Sequence, residues 1–175
     1  MMSEMATKTA EKTKSTAEVA RSYFDAVSRR DLDAMEAHYE PGGGGPIHGL
    51  VELRVGQNYR EWFENLFRAF PDWNFEVLRI IAEDDQAAVE WRARGTFNGN
   101  ARFEGMEPNG ASVDVRGCDL VTVRDGKLFD NQVYTSGTEL ARQLGALPPQ
   151  GSVAERGMTG ALNLKTRATK AIRRD

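Results

Sequence analysis

Residues 56–72 read GQNYREWFENLFRAFPD and carry the clearest periodicity in the chain. Large apolar side chains recur at i, i+3, i+4, i+7, i+8 and i+11, which is the spacing of one helix face; they are Tyr59, Trp62, Phe63, Leu66, Phe67 and Phe70. Pro71 ends the pattern, because proline cannot continue a helix. In the following residues, WNFEVLRIIA, the apolar period changes to two. The stretch therefore predicts an aromatic-faced helix that leads directly into a β-strand.

Two shorter helices are predicted before this one. Val19, Tyr23 and Val27 recur at helical spacing, and Asp31 is placed to cap a second helix. The sequence EPGGGGPIHGL, residues 40–50, then stops the helix with its proline and four glycines. Because glycine loses the most backbone freedom on folding, this segment is either a slack loop or a place where the backbone passes close to another group.

Strand patterns dominate the second half of the chain. AAVEWRARGTF predicts one strand, and NGNARFEGMEPNG predicts a long irregular connection that carries Phe103 and Met106. Residues 111–135 predict two strands joined at Asp125-Gly126, a dipeptide typical of tight hairpins. Helices followed by antiparallel strands indicate an α+β protein, with helices packed on one face of a curved sheet. A cavity at the mouth of such a sheet is a usual place for a small ligand.

Composition limits the partners and the location. The chain has 175 residues and a net charge of −3, and residues 17–150 alone carry −8. An acidic body argues against nucleic acid as the main partner. No apolar run is long enough to span a membrane, and the N-terminal residues lack the apolar core of a secretory signal. The single cysteine, Cys118, fits a reducing cytoplasm, where we expect the protein to reside.

The chain divides into three predicted parts. Residues 1–16 are rich in threonine, lysine and glutamate and are predicted to be disordered. Residues 17–150 form the folded domain. Residues 151–175 carry six basic and two acidic side chains and predict a basic helical tail.

Four polar residues stand out as candidates for chemistry. Tyr23 lies on an apolar helix stripe, where its hydroxyl needs a partner, although it could be a satisfied core tyrosine. Asp119 alternates with apolar residues, and burial of this face would raise the pKa of its carboxyl, whereas a register slip would turn it outward. His48 has an imidazole ring, which suits proton transfer near neutral pH. Alternatively, its ring is simply exposed to solvent. A bulge at the Asp125-Gly126 turn would place Asn131 opposite Asp119, and a plain turn would place Gln132 there; we prefer the bulge, which also puts Phe129 on the inner face.

Several stretches resemble the SnoaL-like polyketide cyclases and their ester-cyclase relatives in the nuclear transport factor 2-like superfamily, which includes ketosteroid isomerases. They are YFDAVSRRDLDAMEAHYEPG, GPIHG, LFRAFPDWNFEV, AAVEWRARGTF and GCDLVTVRDGKL. The resemblance implies a cystatin-like cone: three N-terminal helices packed on a curved antiparallel sheet, here with a C-terminal helical extension. It also implies a homodimer formed through the outer face of the sheet, and a glycine-rich segment that runs along the mouth of the cavity.

The resemblance also implies roles for residues. In ketosteroid isomerases a tyrosine and a protonated aspartate at the positions of Tyr23 and Asp119 hold the oxyanion, and the base lies near the position of His48. SnoaL-like cyclases keep an acid/base aspartate where this chain has Val133, so their mechanism cannot be carried over whole. Epoxide hydrolases of this fold use an Asp-Arg-Asp relay, of which Asp119 could be one member.

The sequence thus predicts a cofactor-free enzyme acting on an apolar, carbonyl-bearing molecule that is polyketide-like or steroid-like. His48 would move a proton, Tyr23 and Asp119 would bind the enolate oxygen, and Asn131 would orient the substrate or Asp119. An apolar wall is predicted from Trp62, Phe63, Phe67, Trp91, Phe103 and Met106. No metal site or nucleotide-binding glycine motif is expected. The alternatives are an epoxide hydrolase or epoxide-opening cyclase, and a non-catalytic binding or dimerisation module.

Overall fold

The computed structural model describes residues 14–172, with side chains described as far as Lys170. The helices are α1 Thr16–Arg29, α2 Leu32–Ala37, α3 Tyr59–Ala69, α4 Gly137–Gln143 and α5 Val153–Ile172. The strands are β1 Tyr39–Ile47, β2 Val51–Arg54, β3 Asn74–Glu83, β4 Gln86–Thr96, β5 Ser112–Arg124 and β6 Lys127–Thr135. Three helices packed on one sheet confirm the predicted α+β class.

The helix boundaries follow local hydrogen bonding. Ser15 and Glu18 form a reciprocal capping box at the start of α1, which satisfies two backbone donors that the helix cannot pair itself. Asp31 caps α2 by accepting from the backbone N–H of Ala34, as predicted. Helix α3 ends at Ala69, and its C-cap residue, Phe70, immediately precedes Pro71. Residues 1–13 of the predicted disordered segment lie outside the described residues.

The strands form one six-stranded sheet in the order β2-β1-β6-β5-β4-β3. All neighbouring pairs are antiparallel except β1 and β6, which are parallel. The four strands predicted from the sequence, β3 to β6, pair antiparallel as expected, and the parallel pair involves β1, which was not predicted as a strand. Register shifts interrupt the β1–β6, β3–β4 and β5–β6 pairings, and such bulges bend strands and curve a sheet.

The glycine-rich segment is a strand, so the prediction of a loop is wrong. It forms most of β1, which lies between β2 and β6. A Cβ atom on Gly44 would lie 2.2 Å from the carbonyl oxygen of Leu53 on β2. A Cβ atom on Gly45 would lie 2.1 Å from the carbonyl oxygen of Asn131 on β6. The glycines therefore let the neighbouring backbones approach closely, which was the second of the two alternatives.

The β5–β6 hairpin contains a bulge, but its register differs from the prediction. Asp125 and Gly126 form a two-residue turn with φ values of 46° and 74°, and the register shifts two residues later. Phe129 is the extra residue, and the guanidinium of Arg124 lies over its ring rather than the ring facing the core. Asp119 is paired with Val133, not with Asn131 or Gln132.

The C-terminal residues 153–172 form helix α5, as predicted for the basic tail. Its described side chains are almost all exposed, and the ion pair between Arg142 and Glu155 links its first turn to α4. None of the described helices is long and apolar enough to cross a membrane. The assignment of residues 151–175 as a separate part stays a prediction.

We expect Gly45→Ala to lower the free energy of unfolding by about 3 kcal/mol, because its methyl group would force β1 away from β6. The measurement is urea denaturation followed by tryptophan fluorescence. Gly137→Ala is the control, since an added Cβ there meets no atom within 4 Å. Equal stability of the two variants would contradict the close-approach role of Gly45.

Candidate functional site

A cavity of about 120 Å³ lies between the helices and the inner face of the sheet. Helix α1 contributes Tyr23, α3 contributes Tyr59 and Trp62, and the sheet contributes its central strands. Its walls are mostly aromatic and aliphatic. Among the described residues that line it, Asp119 is the one with an ionisable carboxyl, and no lysine, arginine or histidine is present.

Asp119 lies in the middle of β5 and faces inward, as the sequence predicted. Its side chain is only 4% exposed. One carboxylate oxygen accepts a hydrogen bond from Nε1 of Trp91 at 2.7 Å. The other accepts from Nδ2 of Asn131 at 2.9 Å. Both oxygens are thus held by neutral donors on the two neighbouring strands, which fixes the direction of the carboxyl group.

Trp91 reaches Asp119 because the residue opposite it has no side chain. Trp91 is paired with Gly117 across the β4–β5 ladder. A Cβ on Gly117 would lie 2.2 Å from Cζ2 of the indole, so the ring occupies the space of the missing side chain. The indole lies next to the carboxyl two residues further along β5, a diagonal contact that large side chains can make. Gly117 therefore positions the first donor to Asp119.

Burial raises the pKa of Asp119 from its usual 3.8 to about 6, against the hydrogen bonds from Trp91 and Asn131, which lower it. The carboxyl is therefore mostly ionised at neutral pH. That state fits its two donors, since an ionised carboxylate can only accept. It also differs from the predicted role of a protonated donor at neutral pH.

Asn131 joins the carboxyl to a second polar group. Its Nδ2 donates to Asp119 and also lies 3.3 Å from the hydroxyl of Tyr39. It sits diagonally from Asp119 rather than directly opposite, yet the two meet because they share the inner face. Its other amide atom, Oδ1, is buried and is without a hydrogen-bond partner among the described residues.

Three tyrosine hydroxyls complete the polar part of the site. The hydroxyls of Tyr23 and Tyr59 are 2.8 Å apart, and the ring of Tyr39 packs edge-on against both, with centroids 5.3 Å and 5.5 Å away. Burial raises the pKa of all three hydroxyls well above the usual value. They therefore stay protonated and act as hydrogen-bond donors, not as bases.

His48 does not reach the cavity, so the expectation of a histidine on its rim is wrong. Its Nε2 is 2.9 Å from Oε1 of Gln132, and its ring stacks on exposed Tyr134 at 4.4 Å. Both partners alternate with inward-facing Asn131 and Val133 on β6 and so lie on the outer face of the sheet. The other histidine, His38, bonds Ala34 and Ser22 and also lies outside the cavity lining.

The predicted apolar wall is present in part. Trp62, Phe63, Trp91 and Phe103 line the cavity. Phe67 and Met106 do not: Phe67 lies under the guanidinium of Arg30, and Met106 packs beside Phe103 in the neighbouring core.

Sequence reasoning missed three contributors to the site. Tyr59 was read as part of the apolar helix face, Tyr39 as part of the short second helix, and Trp91 as wall only. The polar tip of each aromatic side chain was the available clue, because a buried hydroxyl or indole N–H needs a partner. Within residues 14–172, no group of three histidine, cysteine or carboxylate side chains could hold a metal ion.

A family model described as a SnoaL-like domain matches residues 20–131. No curated protein matches the chain significantly. Among solved structures, AclR from Streptomyces galilaeus, a proposed hydroxylase, is 25% identical with a TM-score of 0.65, and the match covers 87% of this chain and 96% of AclR.

Two further structures show the same fold. A proposed SnoaL-like polyketide cyclase from Jannaschia sp. CCS1 is 24% identical with a TM-score of 0.66, over 76% of this chain and 93% of its own. An LEH-like epoxide hydrolase from M. tuberculosis is 14% identical with a TM-score of 0.58, over 75% and 90%. The predicted cone fold is confirmed.

Removing the Asp119 carboxyl should change how stability depends on pH. Because its pKa is raised in the folded state, its protonated form favours folding below about pH 4, and this contribution is lost as the pH rises through about 6. A tenfold change in an equilibrium constant corresponds to about 1.4 kcal/mol. The free energy of unfolding of wild type should therefore fall by roughly 3 kcal/mol relative to that of Asp119→Asn between pH 3.5 and pH 7.5.

The measurement is urea denaturation of both proteins across this pH range. Asp114→Asn is the control with the opposite sign, because the hydrogen bond from Arg92 lowers the pKa of Asp114. That carboxyl therefore stabilises the fold at high pH and loses its contribution as the pH falls. If the difference in free energy of unfolding between wild type and Asp119→Asn does not vary with pH, the raised pKa of Asp119 is contradicted.

Proposed function

Because the chain belongs to the SnoaL-like domain family, we propose that it is an acid–base enzyme acting on an apolar, carbonyl-bearing small molecule, with Asp119 as its base. The reaction is an isomerisation or an intramolecular cyclisation through an enolate. Proposed polyketide cyclases among the structural neighbours are consistent with this class of chemistry.

One observation carries the proposal: an isolated carboxyl lines an apolar cavity, with its pKa raised to about 6. A general base works best when its pKa is near the operating pH. Burial raises the pKa of Asp119 toward neutral pH. The hydrogen bonds from Trp91 and Asn131 lower it again, so that the carboxyl can still ionise. With His48 on the outer face, Asp119 takes over the base role that the sequence assigned to the histidine.

The proposed step moves one proton. Asp119 removes a proton from the carbon α to the substrate carbonyl, and the electron pair of that C–H bond forms the enolate. A hydroxyl of the Tyr23–Tyr59 pair, which lines the same cavity, donates a hydrogen bond to the enolate oxygen. The protonated Asp119 then returns the proton to another carbon in an isomerisation. In a cyclisation, the enolate carbon attacks an electrophilic carbon of the same substrate, and the resulting alkoxide takes the proton from Asp119.

The register of the sheet supports this location for the base. Val133 stands where the resemblance expects the acid/base aspartate of SnoaL-like cyclases. Val133 is the direct cross-strand partner of Asp119, so the carboxyl here lies at the same level of the sheet, one strand away. The cavity therefore still contains a carboxyl that can act as the base, although this carboxyl lies on β5 and not at the motif position on β6.

Epoxide opening is the weaker candidate. An Asp-Arg-Asp relay needs an arginine and a second aspartate in the cavity, and the described lining residues include neither. Similarity to the epoxide hydrolase, at 14% identity, extends to the fold alone. The remaining alternative is a protein that binds a small molecule without catalysis. The absence of proton transfer in the next experiment would support it.

We expect wild-type protein to catalyse exchange of α-protons for deuterium in bicyclic ketones such as 1-tetralone. The exchange rate of Asp119→Asn should be at least about 100-fold lower. The rate should rise with pH through about 6, as Asp119 ionises. Trp91→Phe should move this midpoint upward, because the indole hydrogen bond lowers the pKa of the carboxyl. The readout is proton NMR in deuterated buffer.

His48→Ala is the matched control and should exchange at the wild-type rate, since its ring bonds Gln132 on the outer face. Exchange that depends on His48, or that survives unchanged in Asp119→Asn, would refute Asp119 as the base.

We also propose that the protein works as a homodimer joined through the outer face of the sheet. This face exposes apolar side chains on three strands, Ile81, Leu120 and Tyr134, at 59%, 46% and 47% of their surface. Isolated exposed apolar residues are common, but a group of them on one face of a sheet is typical of an interaction site.

Leu120→Glu should convert the dimer to a monomer, because it places a charge at the centre of the proposed interface. Light scattering after size-exclusion chromatography measures the mass. Leu164→Glu makes the same chemical change on α5, where the leucine is 67% exposed, and should leave the mass unchanged. A wild-type monomer, or dissociation by Leu164→Glu alone, would contradict this interface.

A further inference from the structure

The amide of Asn131 presents a buried acceptor that the protein leaves unsatisfied. Asn131 is 5% exposed and lines the cavity, and its Oδ1 has no partner among the described residues. Burying an acceptor without a hydrogen bond costs free energy, so natural proteins rarely retain one without a reason. A ligand that donates to this atom would remove the cost.

The orientation of the amide follows from its neighbours. An ionised Asp119 can only accept, so the N–H edge of Asn131 must face it. The same edge lies against the hydroxyl of Tyr39. Turning the amide over would bring its oxygen against the carboxylate, which is repulsive. While Asp119 is ionised, Oδ1 is therefore the edge of Asn131 that remains for a ligand.

The charges around the cavity exclude an anionic ligand group at this point. Asp119 accepts hydrogen bonds from an indole N–H on β4 and an amide on β6, both uncharged. The buried tyrosine hydroxyls of α1, β1 and α3 are uncharged too, because burial raises their pKa. No lysine, arginine or histidine is among the described lining residues. An anionic ligand would be buried beside a carboxylate without a counter-ion, which is costly.

We infer that the cavity takes an apolar molecule that bears a hydroxyl group and no anionic group, and that this hydroxyl donates its hydrogen bond to Oδ1 of Asn131. The inference rests on the proposed function, whose carbonyl substrate it narrows to a hydroxylated one. Asn131 is then a specificity-determining residue: it selects a donor on the ligand, whereas the tyrosine hydroxyls select an acceptor.

The proton of Asp119 controls this selectivity. A protonated carboxyl becomes a donor, and the amide of Asn131 can accept this hydrogen bond only after it turns over and presents Oδ1. The turned amide then offers N–H to the cavity. The site consequently prefers a hydroxyl donor when Asp119 is ionised and a pure acceptor when Asp119 is protonated.

Matched bicyclic probes test the inference. We would measure the Kd of 1-tetralol, 1-tetralone and tetralin by quenching of tryptophan fluorescence, since Trp62 and Trp91 line the cavity. At pH 8 the alcohol should bind about fivefold more tightly than the ketone, the gain expected from one neutral hydrogen bond, and also more tightly than tetralin. At pH 5 the order of alcohol and ketone should reverse.

Two variants separate the possible outcomes. In Asp119→Asn the ratio of the two Kd values should no longer change with pH. In Asn131→Leu, which keeps the volume but removes the amide, the alcohol should lose its advantage over the ketone at pH 8. Circular dichroism of each variant would establish that it is folded before its Kd is compared.

The inference is overturned if 1-tetralol binds no more tightly than tetralin to wild type at pH 8, or if Asn131→Leu retains the preference. A preference that is identical at pH 5 and pH 8 would overturn the control by Asp119. Binding selectivity and deuterium exchange are separate readouts. Selective binding without exchange would leave the inference standing and refute the enzymatic proposal, and exchange without selectivity would do the reverse.

Discussion

The burial of one carboxyl group in an apolar cavity is the constraint on which the rest of the site depends. Desolvation alone would push Asp119 toward its protonated form, and two neutral donors act against it, so that its pKa settles near 6. Each donor needs its own structural support. Trp91 requires Gly117, whose missing side chain leaves room for the indole. Asn131 requires a shifted hairpin register to lie diagonally across from the carboxyl.

The glycine-rich strand β1 also shapes the site, because it allows β1 and β6 to pack closely beside Asn131. Gly45 lies directly against the backbone of Asn131, and a side chain at Gly45 would separate β1 from β6. The parallel pairing of these two strands brings Tyr39, at the start of β1, next to the amide of Asn131. Gly44 and Gly45 are thus retained, despite the backbone entropy that glycine loses on folding, where neighbouring strands must approach closely.

The fold could be predicted from sequence because it depends on patterns that are local. The aromatic stripe of α3, the Asp31 cap and the Asp125-Gly126 turn each act within a few residues, and each appears in the structure as expected. Membership of the SnoaL-like domain family is consistent with those elements. Asp119 facing inward was also predictable, because side chains alternate along a strand and its neighbours at i±2 are small or apolar.

What the sequence by itself determined is the helices, the four strands β3 to β6 with their order, and the inward face of Asp119. The tertiary structure alone decided which polar groups meet. A single bulge at Phe129 changed the partner of Asp119 to Val133, because register shifts move every pairing beyond them. Strand pairing also placed His48 against Gln132 on the outer face. Packing of α1 and α3 against β1 brought Tyr23, Tyr59 and Tyr39 together. Contacts between residues distant in the chain depend on packing and register, and no local pattern encodes them.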